Sequence, residues 1–98
     1  MAVKYSLIIP CFNEEKNIDS LVAKSTNMLK DPFFELILVN NGSSDQTLKK
    51  IKQNMNNHKN IKSVNIIKNI GFGFGVFEGI KKSNGKIVGY THADLQTD

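Results

Sequence analysis

Four short apolar runs alternate along the chain with segments in which apolar residues recur at helical spacing. The runs cover residues 5–9, 35–39, 61–67 and 86–91, and the third is interrupted by Lys62 and Asn65. Short continuous apolar runs of this kind are typical of strands that are buried on both faces of a parallel sheet. The pattern therefore predicts four strands.

Three helices are predicted between these strands. The first covers residues 14–30, with Glu14 and Glu15 in its first turn, where carboxylates favour the helix dipole. The second follows a capping box formed by Ser43 and Gln46, and the third follows a glycine-rich turn. The apolar faces of the three helices are formed by Ile18, Leu21, Val22, Met28 and Leu29, by Leu48, Ile51 and Met55, and by Val76, Phe77 and Ile80.

The alternation of strand and helix predicts an α/β fold, with a mainly parallel sheet and helices on both of its faces. Ligands of such sheets bind at the carboxyl ends of the strands. We therefore expect the functional residues in the segments that follow each strand, at residues 10–15, 40–45, 68–75 and 92–98.

Composition narrows the class of protein. The 98 residues, 40% of them hydrophobic and 22% charged, suit one small globular domain, and the apolar runs are far shorter than the ~20 residues of a membrane span. The single cysteine, Cys11, has no internal disulfide partner, which favours a reducing compartment and predicts a cytoplasmic location. The net charge of +4 comes with lysines and no arginine, so we do not expect nucleic acid as a partner.

Four motifs follow the predicted strands in order. They are IPCFNEE at residues 9–15, LVNNGSSDQT at 38–47, NIGFG at 69–73 and YTHADLQ at 90–96. Together they resemble the amino-terminal half of a family 2 glycosyltransferase, whose GT-A fold is Rossmann-like. The resemblance covers essentially the whole chain, and the last motif looks most like the branch that transfers sugars to dolichyl or polyprenyl phosphate.

The resemblance implies a site for a nucleoside-diphosphate sugar. In this family the loop after the first strand and the end of the second hold the nucleoside, so Phe12 would offer a flat face and Glu14 an acceptor for ribose or base. Asn41 stands where the family often has aspartate, and a base contact by its amide is expected. The residues expected at the nucleotide are Pro10, Phe12, Asn13, Glu14, Asn41, Lys68, Gly71, His92, Ala93 and Asp94.

Purely structural interpretations of the same residues remain open. Pro10 would then only end a strand, Phe12 would belong to the core, and Glu14 would serve only the helix terminus. Asn40 would sit in a turn selected for left-handed backbone conformations. Phe72, Phe74 and Phe77 are interpreted as packing residues.

The resemblance also implies a divalent metal, Mn²⁺ or Mg²⁺. The family's Asp-x-Asp motif reads His92-Ala93-Asp94 here, and the expected ligands are Asp94 and Gln96. His92 departs from the motif. Because Mg²⁺ favours oxygen, His92 is either not a ligand or shifts the preference towards Mn²⁺.

The implied reaction is inverting transfer of a sugar to an acceptor such as polyprenyl phosphate. Residues 1–98 are expected to form the donor-binding portion of a domain truncated after the metal motif. No catalytic residue is assigned in the chain, since the general base is expected beyond Asp98, and the complete protein would act in the cytoplasm or at the cytoplasmic face of a membrane. We expect the chain to form homo-oligomers through apolar surfaces that include Phe72, Phe74 and Phe77.

Two other functions compete with this one. Gly73, Gly75 and Gly79, with Asp94 as a ribose-binding acid, permit an NAD(P)-dependent oxidoreductase fragment. This turn, however, follows the third predicted strand, whereas the dinucleotide fingerprint opens at the first. In a non-enzymatic α/β interaction module, the glycines and asparagines would only make turns.

Overall fold

Residues 2–93 are described by the computed structural model, and they form a four-stranded parallel sheet with helices on both faces. The sheet order is β3-β2-β1-β4, and every neighbouring pair is parallel. The predicted fold class is confirmed. The elements are β1 (Tyr5–Cys11), α1 (Ile18–Lys24), α2 (Thr26–Leu29), β2 (Phe34–Asn41), α3 (Thr47–Met55), β3 (Ile61–Ile66), α4 (Phe72–Lys82) and β4 (Ile87–Tyr90).

The two central strands, β1 and β2, are buried on both faces, which explains their continuous apolar runs. Alternate side chains point to opposite sides, so Ile9 and Leu38 pack under α1 and α3 while Ile8 and Val39 lie under α4. The helix α4 approaches the sheet closely through Gly79. A Cβ at this position would lie 2.4 Å from Cγ2 of Ile8.

The predicted first helix is shorter than expected and divided in two. It begins at Ile18 and breaks at Ser25, whose Oγ donates a hydrogen bond of 2.9 Å to the carbonyl oxygen of Leu21. Such bonding of a serine hydroxyl back to the preceding turn competes with regular helix geometry. Because α1 begins only at Ile18, Glu14 and Glu15 lie before the helix and not in its first turn.

The prediction of a capping box at Ser43 and Gln46 was wrong. Gln46 makes no side-chain cap bond, and Ser43 instead accepts a hydrogen bond of 3.0 Å from the backbone N–H of Asn13. Asp45 takes over the capping role, because its Oδ1 accepts the N–H of Thr47 at 2.9 Å. A side-chain acceptor near the helix start satisfies a backbone donor that the helix itself leaves unpaired.

Asn40 lies in β2 and not in a left-handed turn. Its Nδ2 donates a hydrogen bond of 2.8 Å to Oδ1 of Asn65 on β3. The left-handed conformation falls two residues later, at Gly42 with φ of +71°. A Cβ on Gly42 would lie 2.1 Å from the backbone nitrogen of Asn69, so only glycine fits there.

The amino ends of the strands carry a buried polar cluster. The Glu35 carboxylate accepts hydrogen bonds of 2.6 Å from Ser6 Oγ and from the Asn84 N–H, and Lys62 Nζ lies 2.7 Å from its second oxygen. Burial raises the pKa of Glu35, but these contacts outweigh it and hold the pKa below its ordinary value. Since Gly85 N–H donates to Ser6 Oγ at 2.9 Å, the cluster ties the turn before β4 to the sheet.

Candidate functional site

A cleft of about 200 Å³ opens at the carboxyl ends of the strands, where all four motifs converge. Cys11, Asn69 and Phe72, which were not predicted as site residues, also line this cleft. All three lie in or directly beside the predicted strand-end segments, so their positions were visible in the sequence although their roles were not. The predicted nucleotide-binding residues that line the cleft are Pro10, Phe12, Glu14, Asn41, His92 and Ala93.

The cleft is smaller than a typical ligand pocket of about 300–1,000 Å³. Phe12 is 48% exposed and stands at this opening, so it is not a core residue. Its exposed aromatic ring offers a flat apolar surface to a ligand.

Asn13 does not line the cleft, and it joins the loops that follow β1 and β2. Its φ of +54° is unusual for a residue other than glycine. In this conformation its Oδ1 accepts the N–H of Ser44 at 2.8 Å, while its own N–H donates to Ser43. The backbone N–H of Glu14 adds a further bond of 2.8 Å, to Oγ1 of Thr47. These bonds fix the wall that carries Phe12.

Glu14 and Cys11 lie side by side in the cleft but differ in chemistry. Oε1 of Glu14 accepts a hydrogen bond of 2.7 Å from Nδ2 of Asn17, which orients the carboxylate. Cys11 is buried, and its Sγ donates to the carbonyl oxygen of Ile9 at 3.3 Å. Burial, together with the Glu14 charge, raises the pKa of Cys11 to about 12, so the thiol is not an ionised nucleophile near neutral pH.

Asn41 is buried, and both ends of its amide are hydrogen-bonded to the glycine-rich turn. Its Nδ2 donates to the carbonyl oxygen of Gly71 at 2.9 Å, and its Oδ1 accepts the N–H of Ile70 at 3.1 Å. Asn69 completes this arrangement, because its Oδ1 accepts the N–H of Gly71 at 2.7 Å. Gly71 itself does not line the cleft, nor does Lys68, which follows β3 and is exposed.

Aromatic rings form the side of the cleft nearest β4. The His92 ring stacks on Phe72 with centroids 4.4 Å apart and an interplanar angle of 25°. Tyr90 meets the same phenyl ring edge-on at 6.0 Å. Phe72 is thus a wall residue of the cleft rather than a core residue. Phe74 and Phe77 are 69% and 52% exposed, so they do not belong to the core formed by residues 2–93, and their interpretation as packing residues stays a prediction.

The predicted metal ligands Asp94 and Gln96 lie outside the described residues. Within residues 2–93, no three histidine, cysteine, aspartate or glutamate side chains stand close enough together to hold a metal ion. His92 is present at the cleft, but its ring is stacked on a phenyl group.

Among the helices of residues 2–93, none has the length and apolar character needed to cross a bilayer.

The glycines that suggested a dinucleotide site have another role. Gly73, Gly75 and Gly79 lie within α4, and the last two are buried against the sheet. A Cβ on Gly75 would lie 3.0 Å from Nδ2 of Asn41. The dinucleotide fingerprint lies in the turn after the first strand, whereas α4 follows β3, so this structure does not support the oxidoreductase alternative.

Comparison with known proteins identifies a family. The family model described as Glycosyl transferase family 2 matches residues 6–98. An uncharacterised glycosyltransferase of Synechocystis is 36% identical over 98% of this chain and 31% of its own length. Dolichol-phosphate mannosyltransferase of Pyrococcus furiosus is 31% identical over 96% of this chain and 26% of its own. The chain therefore spans about a third or less of the length of these relatives.

Solved structures show the same fold. Staphylococcus aureus TarS in complex with UDP-GlcNAc superimposes with a TM-score of 0.78 at 30% identity, over 94% of this chain and 27% of TarS. The mannosyltransferase PcManGT of Pyrobaculum calidifontis, in complex with GDP-Man and Mn²⁺, gives a TM-score of 0.80 at 20% identity. That match covers 96% of this chain and 28% of PcManGT, and at this identity it shows the shared GT-A fold alone.

Proposed function

Because the chain belongs to glycosyl transferase family 2, we propose that its cleft binds the nucleotide of a nucleoside-diphosphate sugar. The observation that carries this proposal is the convergence of all four strand-end motifs on one cleft at the carboxyl edge of a parallel sheet. This edge is where open α/β sheets bind their ligands.

The chemistry of the lining fits a nucleoside. Pro10 and Phe12 offer apolar surface to a base, and the Glu14 carboxylate accepts hydrogen bonds from ribose hydroxyls or base N–H groups. His92 and Ala93 also line the cleft, and Asp94 follows them directly in the sequence. We place the nucleoside between Phe12 and Glu14 and the diphosphate towards His92.

The whole protein's reaction is proposed as inverting transfer of the donor sugar to an acceptor. Relatives named for transfer to dolichol, undecaprenyl or dodecaprenyl phosphate support a polyprenyl phosphate as that acceptor. Such an acceptor is already anionic, so it needs no strong base to attack the sugar. We further propose that the protein acts in the cytoplasm or at the cytoplasmic face of a membrane.

Asp94 and Gln96 are proposed to hold Mn²⁺ or Mg²⁺. Their carboxylate and amide oxygens are donors that both ions accept. When bound, such an ion would stabilise charge on the leaving diphosphate. The contribution of the described residues is to orient the nucleotide beside that position.

Titration of the chain with UDP, GDP and CDP, with and without Mn²⁺, tests this function. We expect metal-dependent binding of at least one nucleotide, and Asp94→Ala should abolish the dependence on metal. Glu14→Gln should weaken binding about tenfold, since it removes a charged acceptor from the cleft. Glu15→Gln is the matched control, because Glu15 does not line the cleft.

The opposite results would reject the proposal. If none of the three nucleotides binds a folded chain, the cleft is not a nucleotide-sugar site, and if NAD or NADP then binds without metal, the oxidoreductase alternative replaces it. Equal effects of Glu14→Gln and Glu15→Gln would show that binding occurs elsewhere on the chain.

Self-association is proposed as well. The edge strand β4 exposes Ile87, Val88 and Tyr90, which are 64%, 39% and 63% exposed, and Phe77 lies on the neighbouring helix. Exposed strand edges and apolar patches favour pairing with another chain. Light scattering at micromolar concentration should show a dimer or larger species, and Tyr90→Lys should shift it towards the monomer. A monomer at all concentrations would contradict this expectation.

A further inference from the structure

Asn41 has a role in the donor site that differs from the base contact its position suggests. It lines the cleft, yet only 3% of its surface is exposed. Both of its amide atoms are hydrogen-bonded to backbone groups of Ile70 and Gly71. Turning the amide over would set its N–H groups against the Ile70 N–H and its oxygen against the Gly71 carbonyl. These contacts therefore fix its orientation.

The contacts of Asn41 hold the first turn of α4. The Gly71 carbonyl oxygen accepts the Asn41 amide and also the N–H of Gly75 at 3.0 Å, which begins the helix. Gly71 has φ of +90°, a conformation that residues other than glycine rarely adopt, and its own N–H is held by Oδ1 of Asn69. Phe72 follows directly and stacks on His92 in the cleft.

We infer that Asn41 is a positioning residue, which sets the aromatic wall of the donor site by holding the glycine-rich turn. This inference rests on the proposed function of the cleft as a nucleotide site. An aspartate at this position would still accept the Ile70 N–H. Its second oxygen, however, would face the Gly71 carbonyl oxygen at the 2.9 Å now spanned by a hydrogen bond, and two acceptors repel.

The test compares Asn41→Asp with Asn40→Asp. Both variants add one carboxylate to a buried position at the end of β2, but Asn40 bonds to Asn65 and makes no contact with the glycine-rich turn. We expect Asn41→Asp to weaken binding of UDP, GDP and CDP about tenfold each, without changing their order. Asn40→Asp should leave the affinities of the folded chain unchanged.

Amide hydrogen exchange provides a second readout that does not depend on nucleotide. In the unsubstituted chain, the Ile70 and Gly71 amides should be protected although both residues are exposed. Asn41→Asp keeps the acceptor of the Ile70 N–H but repels the Gly71 carbonyl, so it should accelerate exchange at Gly71 by displacing the turn. Asn41→Ala removes that acceptor and should accelerate exchange at Ile70 as well, whereas Asn40→Asp should do neither. Asn41→Ala, which buries no charge, gives the same comparison if the aspartate variant does not fold.

Each contrary result has a distinct meaning. A changed order of UDP, GDP and CDP in Asn41→Asp would show that this residue reads the base, and would overturn the inference. Equal effects of the two aspartate variants on affinity and exchange would overturn it too, because they would reflect general destabilisation. If the unsubstituted chain binds no nucleotide, the proposed function fails, while the exchange data still test whether Asn41 holds the turn.

Discussion

Replacing Glu35 with glutamine should destabilise the chain strongly without touching the cleft. The carboxylate is 2% exposed and is held by Ser6 Oγ, the Asn84 N–H and Lys62 Nζ, all within 2.7 Å. A glutamine at this position keeps one acceptor oxygen, but its amide nitrogen then faces the Lys62 ammonium. The substitution therefore removes the charge that compensates burial and sets two donors against each other.

The structure allows the size of this effect to be worked out. Breaking a buried ion pair by removing one partner costs about 3–5 kcal/mol. Lys62 is 39% exposed and can turn into water, so the lower value of about 3 kcal/mol applies. For a domain of this length, 1 kcal/mol lowers the melting temperature by about 4–8 °C, so a fall of about 12–24 °C is expected.

Urea unfolding followed by circular dichroism is the appropriate assay, since the chain has no tryptophan. Glu78→Gln is the matched control: its pair with Lys81 lies on the surface of α4 and should contribute at most about 0.5 kcal/mol. Similar losses in the two variants, or a loss below about 1 kcal/mol in Glu35→Gln, would refute the reasoning.

The pH dependence gives an independent check on Glu35. Its pKa in the folded chain lies below its ordinary value, so the stabilisation is present above the unfolded pKa and is lost as the pH falls through the folded pKa. The difference in free energy of unfolding between the unsubstituted chain and Glu35→Gln should therefore be largest at neutral pH and should decrease in acid. If this difference stays the same in acid, packing and not charge determines the loss of stability.

Four further experiments also have defined outcomes. Gly79→Ala should cost about 1–3 kcal/mol of stability from overpacking against the sheet, whereas Gly73→Ala, with open space around it, should stabilise α4 by up to about 1 kcal/mol in urea unfolding. Cys11 should resist iodoacetamide at pH 8 in the native chain and react after denaturation, as detected by mass spectrometry. Asn13→Ala should lower the melting temperature, because it loses the bond to Ser44 and keeps a left-handed backbone.

The fold was predictable because its central strands are buried on both faces. Apolar runs such as residues 35–39 and 5–9 are typical of strands that are covered on both faces. The helical spacing between these runs predicts a helix that connects two parallel strands, and β1 and β2 are indeed parallel. Helix boundaries were less predictable. The break at Ser25 and the start at Thr47 depend on hydrogen bonds from side chains, and residue spacing contains no information about which partner a serine or aspartate will choose.

The location of the site was predictable, but the roles of its residues were only partly so. The rule that ligands bind at carboxyl strand ends predicted the segments that contain Phe12, Glu14 and His92, and the structure brings these three residues to one cleft. It could not show that Asn13 turns away to join two loops, because this depends on a left-handed φ at one residue. Nor could it show that Phe72 would stack on His92, which requires the start of α4 to lie beside the carboxyl end of β4.

The loops around the cleft are held in place by hydrogen bonds from asparagine side chains, and this affects how a ligand would be recognised. The amide oxygens of Asn13, Asn41 and Asn69 each accept a backbone N–H, from Ser44, Ile70 and Gly71 respectively, so these oxygens are engaged before any ligand arrives. Loops held in this way lose less conformational entropy on binding. Recognition then falls to the groups that the loops present, the Phe12 ring and the Glu14 carboxylate, and these are the substitutions that should change affinity without changing stability.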